Sequence, residues 1–284
     1  MFGFLNVYKP QGKTSHDIVA ILRRVTKIKQ IGHTGTLDPF AEGVLPICIG
    51  KATRLIEYLE DDKAYIGTVQ FGKSTSTYDI EGEGINFSDK KVTKEEIETT
   101  LCQFRGEIDQ LPPIYSAIKV KGKKLYEYAR AGEDVKIEPR RVNIYKLEVV
   151  SFDYENQTAE LMIECSKGTY IRSIANDLGE ALGCYGHLAK LVRSKAGLFL
   201  LENSIKLDDL QTLEQVENNL IYPLDYLKYP EYELSEVQLE KVSHGNPVKT
   251  DLLLDGTVIL THQGKLIAIA EIDNSIAKVS KVFI

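Results

Sequence analysis

The chain has 284 residues, 43% of them hydrophobic and 27% charged, enough for a sizeable core, and no apolar run approaches the roughly 18 residues of a membrane span. Its first ten residues carry neither a basic n-region nor a small-residue cleavage site, so a cytoplasmic address is expected. A net charge of −6 argues on average against a polyanionic partner, but residues 1–54, 114–141 and 166–195 carry +5, +4 and +3 while residues 201–284 carry −7.

The first helix signal is Ser15 as a cap before Ile18, Val19, Leu22 and Val25, with Arg23, Arg24 and Lys27 on the opposite face. Residues 32–47, Gly-His-Thr-Gly-Thr-Leu-Asp-Pro-Phe-Ala-Glu-Gly-Val-Leu-Pro-Ile, follow. Three glycines and two prolines exclude a regular helix there, and Asp38 before Pro39 is held extended, so this is a shaped loop presenting a carboxylate. Taken alone, Asp38 reads first as a residue capping a turn.

A strand is expected over 64–71, with Tyr65, Val69 and Phe71 on one face. Residues 67–74 satisfy the phosphate-loop pattern GxxxxGK[ST], but the intervening residues are strand formers and residues 74–82 are a poor helix, so nucleotide binding is rejected. Thr93 and Glu96 form a capping box for a helix burying Ile97, Leu101 and Phe104. Residues 145–154 should pair with a strand whose Ala159, Leu161, Ile163 and Cys165 share a face, and residues 173–182 make a third helix. Helices and strands do not alternate regularly, so the fold class is α+β with a mixed, largely antiparallel sheet and flanking helices.

Both periodicities break between Tyr222 and Pro230, placing a catalytic domain over 1–228 and a small, largely β module over 229–284. In it, residues 257–260 and 265–272 flank a His-Gln-Gly turn and read as a hairpin. The cysteines, Cys48, Cys102, Cys165 and Cys184, form no CxxC pair and read as buried small hydrophobes, with neither zinc nor redox pairing indicated.

Five ordered blocks resemble the TruB family of tRNA pseudouridine synthases. They are Asn6-Val-Tyr-Lys9-Pro10 with Thr14-Ser15; the Asp38 loop running into Gly50-Lys51-Ala52-Thr53-Arg54; Lys63-Ala-Tyr65; Gln110-x-Pro112-Pro113-x-Tyr115-Ser116-Ala117-x-Lys119 with Gly122 and Leu125-Tyr126-Glu127; and Cys165-Ser-Lys-Gly168-Thr-Tyr170-Ile-Arg172 with Asp177-Leu-Gly179. The likeness covers residues 4–200, with a weaker one at the end to an RNA-binding PUA module. Val192-Arg193-Ser194 departs from the family's usual Leu-Arg-Arg.

The resemblance implies conversion of uridine to pseudouridine at position 55, in the T-arm loop of tRNA, by a flipped-base mechanism that needs no cofactor or metal. It implies Asp38 as the catalytic carboxylate, Arg172 as its partner and Tyr65 as the ring stacking on the target base, with a share in removing its C5 proton left open. Attack at C1′, attack at C6 and proton elimination are all open for Asp38. Tyr170 would wall the pocket, His33 would fill the place the base leaves, and Lys9 with Pro10 would support the loop. Lys9 also counts, with Lys121, Lys123, Lys124 and Arg141, among the groups expected to bind RNA. Residues 115–141 interleave basic residues with Tyr126 and Tyr128, a composition suited to a folded RNA loop. They resemble the RNA-clasping insertion of stand-alone enzymes, which argues against guide-RNA dependence; a monomer with no membrane partner is expected. The competing readings are an RNA-binding or RNA-folding protein with vestigial catalytic residues, and a phosphate-loop NTPase.

Overall fold

The computed structural model describes residues 1–284. Nineteen strands and six α-helices follow in chain order: β1 (Gly3–Lys9), α1 (Ser15–Thr26), β2 (Ile31–His33), β3 (Glu42–Ile49), β4 (Lys63–Phe71), β5 (Lys73–Thr75), β6 (Gly84–Phe87), α2 (Lys94–Leu101), β7 (Gly106–Gln110), β8 (Lys119–Val120), β9 (Lys123–Lys124), α3 (Leu125–Ala131), β10 (Arg140–Asp153), β11 (Thr158–Cys165), α4 (Ile171–Ala181), β12 (Gly186–Ala196), β13 (Phe199–Leu200), β14 (Ile205–Lys206), α5 (Leu213–Asn218), β15 (Glu231–Glu233), α6 (Glu236–Ser243), β16 (Val248–Lys249), β17 (Gly256–His262), β18 (Lys265–Asp273) and β19 (Ile276–Val282).

Ten strands form one mixed sheet, ordered β14-β1-β3-β12-β4-β11-β10-β7, with β13 paired to β12 and β2 to β3. Its ladders are antiparallel except β1 with β14 and β3 with β12. In β4 every second residue, Tyr65, Gly67, Val69 and Phe71, is buried, and β11 repeats the pattern with Ala159, Leu161, Ile163 and Cys165. That face takes Ile97 and Leu101 of α2 and Ile174, Ala175 and Leu178 of α4. Helix α4 lies so close to β12 that a Cβ on Gly179 would stand 2.1 Å from the Gly186 amide.

Helix α1 packs Ile18, Val19 and Leu22 against β1 and β3, each side chain removed from water stabilising by about 1.5–3 kcal/mol. Its cap is Thr14, not Ser15: the Thr14 hydroxyl accepts from the Asp17 amide, and the Asp17 carboxylate accepts from the Thr14 amide. Ser15 is the first helical residue and its hydroxyl is spent elsewhere. The helix expected over 173–182 starts at Ile171. The 67–74 segment is strand β4, a turn at Gly72 and strand β5, with no helix N-terminus to cradle a phosphate. Cys48, Cys165 and Cys184 are buried, but Cys102, at the end of α2, is exposed.

The last strands form a separate five-stranded sheet, β15-β17-β18-β19-β16. The β17–β18 hairpin turns through Gln263 and Gly264 at φ 50° and 70°, as a two-residue turn with both φ positive requires. Helix α6, capped by Ser235 and Gln238, is an element the reading as a largely β module did not include. This sheet packs Ile259, Leu266, Ile269 and Phe283 onto Phe4, Val44 and Leu55, while Arg54 donates to the Val282 carbonyl at 2.9 Å and Lys281 pairs with Glu57. No helix is long and apolar enough to cross a membrane.

Candidate active site

The loop between β2 and β3 carries Asp38, and its backbone is fixed on both sides of that residue. The Ser15 hydroxyl accepts from the Leu37 amide at 2.8 Å and faces the Leu37 carbonyl at 3.2 Å. The Pro39 carbonyl accepts from the Gly12 amide at 2.8 Å and from Lys9 Nζ at 3.3 Å. Arg193 holds the carbonyls of Gly35 and Thr36. Each such bond contributes about 1 kcal/mol net, and together they leave the carboxylate little freedom to move.

Arg172 enters from the first turn of α4, whose start is clamped by Gln110: its amide accepts from the Tyr170 N–H at 2.8 Å and donates to the Tyr170 carbonyl at 3.0 Å. The guanidinium forks onto Asp38, with Nε 2.9 Å from Oδ2 and Nη2 3.3 Å from Oδ1. Its remaining donors reach Asp79 at 3.3 Å and the carbonyls of Thr77 and Tyr115 at 3.2 and 3.1 Å. Asp79 is buried in the turn after β5, where its carboxylate accepts from the Thr77 hydroxyl and the Glu81 amide. One guanidinium thus serves two carboxylates. Arg172 and Asp79 are covered, but the Asp38 side chain stays 35% exposed, so one edge of its carboxylate is reachable. Burial pushes the Asp38 carboxyl above its ordinary value and Asp79 pushes the same way, opposed by Arg172 and Lys9.

Asp38 opens onto a cavity of about 540 Å³ lined by Tyr65, Tyr115, Tyr126, Tyr170, Leu191 and Lys63 among others. Tyr65 sits on β4 opposite Ile163 of β11 and Arg193 of β12. Only 7% of it is exposed, and burial raises its hydroxyl above the usual phenol value, so the group is neutral near pH 7 and suited to stacking more than to proton removal.

Other expected positions separate. Tyr170 lines the cavity. His33 lies half-buried at the end of β2, its Nδ1 without a hydrogen-bond partner and its pKa lowered by burial. Lys9 corrects its assignment as an RNA contact: it is fully buried, its amine donates to the carbonyls of Pro10, Lys13 and Pro39, and burial pushes its pKa down to about 8. It braces the Asp38 loop and has no donor to spare for phosphate. In the basic insertion, β8 and β9 form a hairpin turning through Lys121 and Gly122 at φ 50° and 85°, followed by α3. Lys123 pairs with Glu133 at 2.8 Å and lies over the Tyr128 ring; Lys124 and Arg130 lie over Tyr126. Arg141 is engaged by Asp109 at 2.7 Å and stands 3.6 Å from Glu107. Sequence reasoning missed Asp79 and Gln110's clamp.

Residues 23–171 match the family model "TruB family pseudouridylate synthase (N terminal domain)" and residues 172–228 the model "tRNA pseudouridylate synthase B C-terminal domain". The boundary between them falls at Arg172, although β12 beyond it lies inside the ten-stranded sheet. The chain is 43% identical over 262 residues to tRNA pseudouridine synthase B of Caldanaerobacter subterraneus subsp. tengcongensis, covering 90% of each chain. It is 45% identical over 251 residues to the protein of the same name in Chromobacterium violaceum, covering 87% of this chain and 81% of the relative. In fold it is similar to the solved archaeal box H/ACA sRNP Nop10-Cbf5 complex, with a TM-score of 0.71 at 23% identity over 99% of this chain and 86% of that one. The sheet, the cleft and the relatives together define a pseudouridine synthase. Within that class, the chain belongs to the TruB family.

Proposed function

We propose that this enzyme converts uridine to pseudouridine at position 55, in the T-arm loop of tRNA, as a cytoplasmic monomer without guide RNA, metal or cofactor. The observation that carries this reading is the Asp38–Arg172 fork at 2.9 and 3.3 Å on the floor of a tyrosine-walled cavity, with one edge of the carboxylate left open. The tRNA substrate is the one named for the relatives.

The reaction breaks C1′–N1, turns the uracil and forms C1′–C5; C5 gives up its proton and N1 gains one, with no net redox change. Asp38 is the group placed to attack the substrate or to take that proton. Arg172 favours the ionised form of the carboxylate against the burial that opposes it. The target nucleotide must leave its stack, at a cost of a few kcal/mol, and stacking on Tyr65 offsets about 1–3 kcal/mol of that.

The cavity runs up to Tyr115, Ser116, Ala117 and Tyr126, so a loop of RNA bound there meets the β8–β9 hairpin, with Lys121, Lys123 and Lys124 toward its phosphates and Tyr170 at its base. His33 and Arg141 complete the proposed RNA contacts. Residues 1–228 act as the catalytic domain and 229–284 as a PUA-like module; the separate five-stranded sheet supports that division. The test is a synthetic T-arm stem-loop incubated with the enzyme and treated with carbodiimide. One pseudouridine stop at the loop uridine is expected; no stop, or stops at stem uridines, refutes the assignment.

A further inference from the structure

The chemistry requires two parts of the sheet to keep a fixed separation: the loop carrying Asp38 and the strand carrying Tyr65. The first leads into β3 and the second is β4, which are not neighbours; β12 runs between them, antiparallel to β4 and parallel to β3. Arg193 occupies that junction. Its ladder partner on one side is Tyr65 and on the other Gly43. The approach to β3 is so close that a Cβ on Gly43, at φ 105°, would stand 2.3 Å from the Arg193 carbonyl.

The Arg193 side chain is completely buried, yet no carboxylate pairs with it in the structure. Each of its three nitrogens donates to a neutral carbonyl: Nε to Val44 at 2.7 Å, Nη2 to Gly35 at 3.0 Å and Nη1 to Thr36 at 3.3 Å. Two of these belong to the loop two and three residues before Asp38, and the third to β3. Lys63, half-buried in the lining of the Asp38 cavity, is a second cation close by, and its pKa is lowered by burial and by Arg193. A buried charge whose partners are neutral dipoles is costly. The three carbonyl bonds offset part of that cost, and what the guanidinium adds beyond them is a planar fork that reaches two segments at once.

We propose that Arg193 is a positioning residue that fixes the Asp38 loop relative to Tyr65, acting through the Gly35, Thr36 and Val44 carbonyls on one side and its place opposite Tyr65 on the other. Resting on the functional reading above, this assigns the departed Val192-Arg193-Ser194 segment a share in the rate and none in RNA affinity.

The experiment compares the parent, Arg193→Lys and Arg193→Gln by urea unfolding, tRNA affinity and single-turnover pseudouridine formation at saturating enzyme. Lysine keeps the charge but offers no fork across two segments, and glutamine removes the charge from the interior. Both variants should unfold cooperatively and bind the tRNA transcript within about threefold of the parent, because Arg193 reaches no surface. Both should form pseudouridine about 100-fold more slowly, the effect of roughly 1 Å of misplacement between reacting groups, and raising the RNA concentration should not restore the rate. Two outcomes overturn the proposal: folded variants with the parent's single-turnover rate, or slow turnover that higher RNA fully rescues. A parent enzyme that makes no pseudouridine would instead overturn the functional reading, which keeps the two failures apart.

Discussion

Replacing Arg172 by methionine removes the one cation shared by Asp38 and Asp79 while keeping most of the side chain's volume. In the parent, two Arg172 nitrogens lie 2.9 and 3.3 Å from Asp38 and a third lies 3.3 Å from Asp79. An arginine this close typically lowers an aspartate pKa by about 1–3 units. Its loss should therefore raise an Asp38 pKa that burial already places above the ordinary value, by about that much. If Asp38 acts as a carboxylate, the acid limb of the single-turnover rate should move to higher pH by about 1–3 units. Activity at neutral pH then falls, and part of it returns under alkaline conditions. Stability changes in the matching sense. A carboxylate whose folded pKa exceeds its unfolded value of about 3.9 destabilises the fold above that value, so the deficit against the parent should be small in acid and grow toward neutrality. Leaving buried Asp79 without its cation should cost about 3 kcal/mol at pH 7, with a smaller share from Asp38, whose side chain is 35% exposed. The assays are urea unfolding and single-turnover rates from pH 5 to 9. An acid limb that stays where the parent has it would refute the electrostatic role of Arg172.

Asp38→Asn should abolish pseudouridine formation while tRNA affinity stays within a few-fold in a binding assay, since phosphate contacts supply most of the affinity. Changing Lys121, Lys123 and Lys124 together to alanine should lower the slope of log affinity against log salt by about one to three, with activity recovering at high RNA; Lys123, already held by Glu133, should contribute least. Lys9→Met leaves the half-buried carbonyls of Pro10 and Lys13 without this donor, while that of Pro39 keeps the Gly12 amide, and should cost about 2 kcal/mol or more in urea unfolding; a loss of RNA affinity at unchanged stability would instead restore Lys9 as an RNA contact. Activity should survive excess chelator, and loss of turnover in EDTA that added metal restores would contradict the cofactor-free reaction.

Asp38 was legible as a carboxylate on a shaped loop because glycines and prolines fix that backbone locally, while its role, and Arg172 altogether, came from the family resemblance. The helix at Thr93 was legible for a similar reason, since a capping box is a purely local device. Asp79 was not: in a run of serines and threonines it reads as a turn residue, and only the packing of α4 brings Arg172 against it. Lys9 was given two roles, loop support and RNA contact, and its burial under β3 and the Asp38 loop leaves only the first. The Thr14–Ser15 choice shows the resolution limit of local rules. Both are good caps, and the one left over was recruited by Leu37, 22 residues away. Burial of Arg193 was equally invisible, because it follows from the wedging of β12 between β3 and β4.

The most direct test is to incubate the parent and Asp38→Asn with a full-length unmodified tRNA transcript, in chelator and without nucleotide, and to map pseudouridine along the whole molecule by carbodiimide probing. Modification of a single T-arm loop uridine by the parent and none by the variant is the expected result. Activity in both proteins, or in neither, would contradict Asp38 as the catalytic carboxylate of a tRNA pseudouridine synthase.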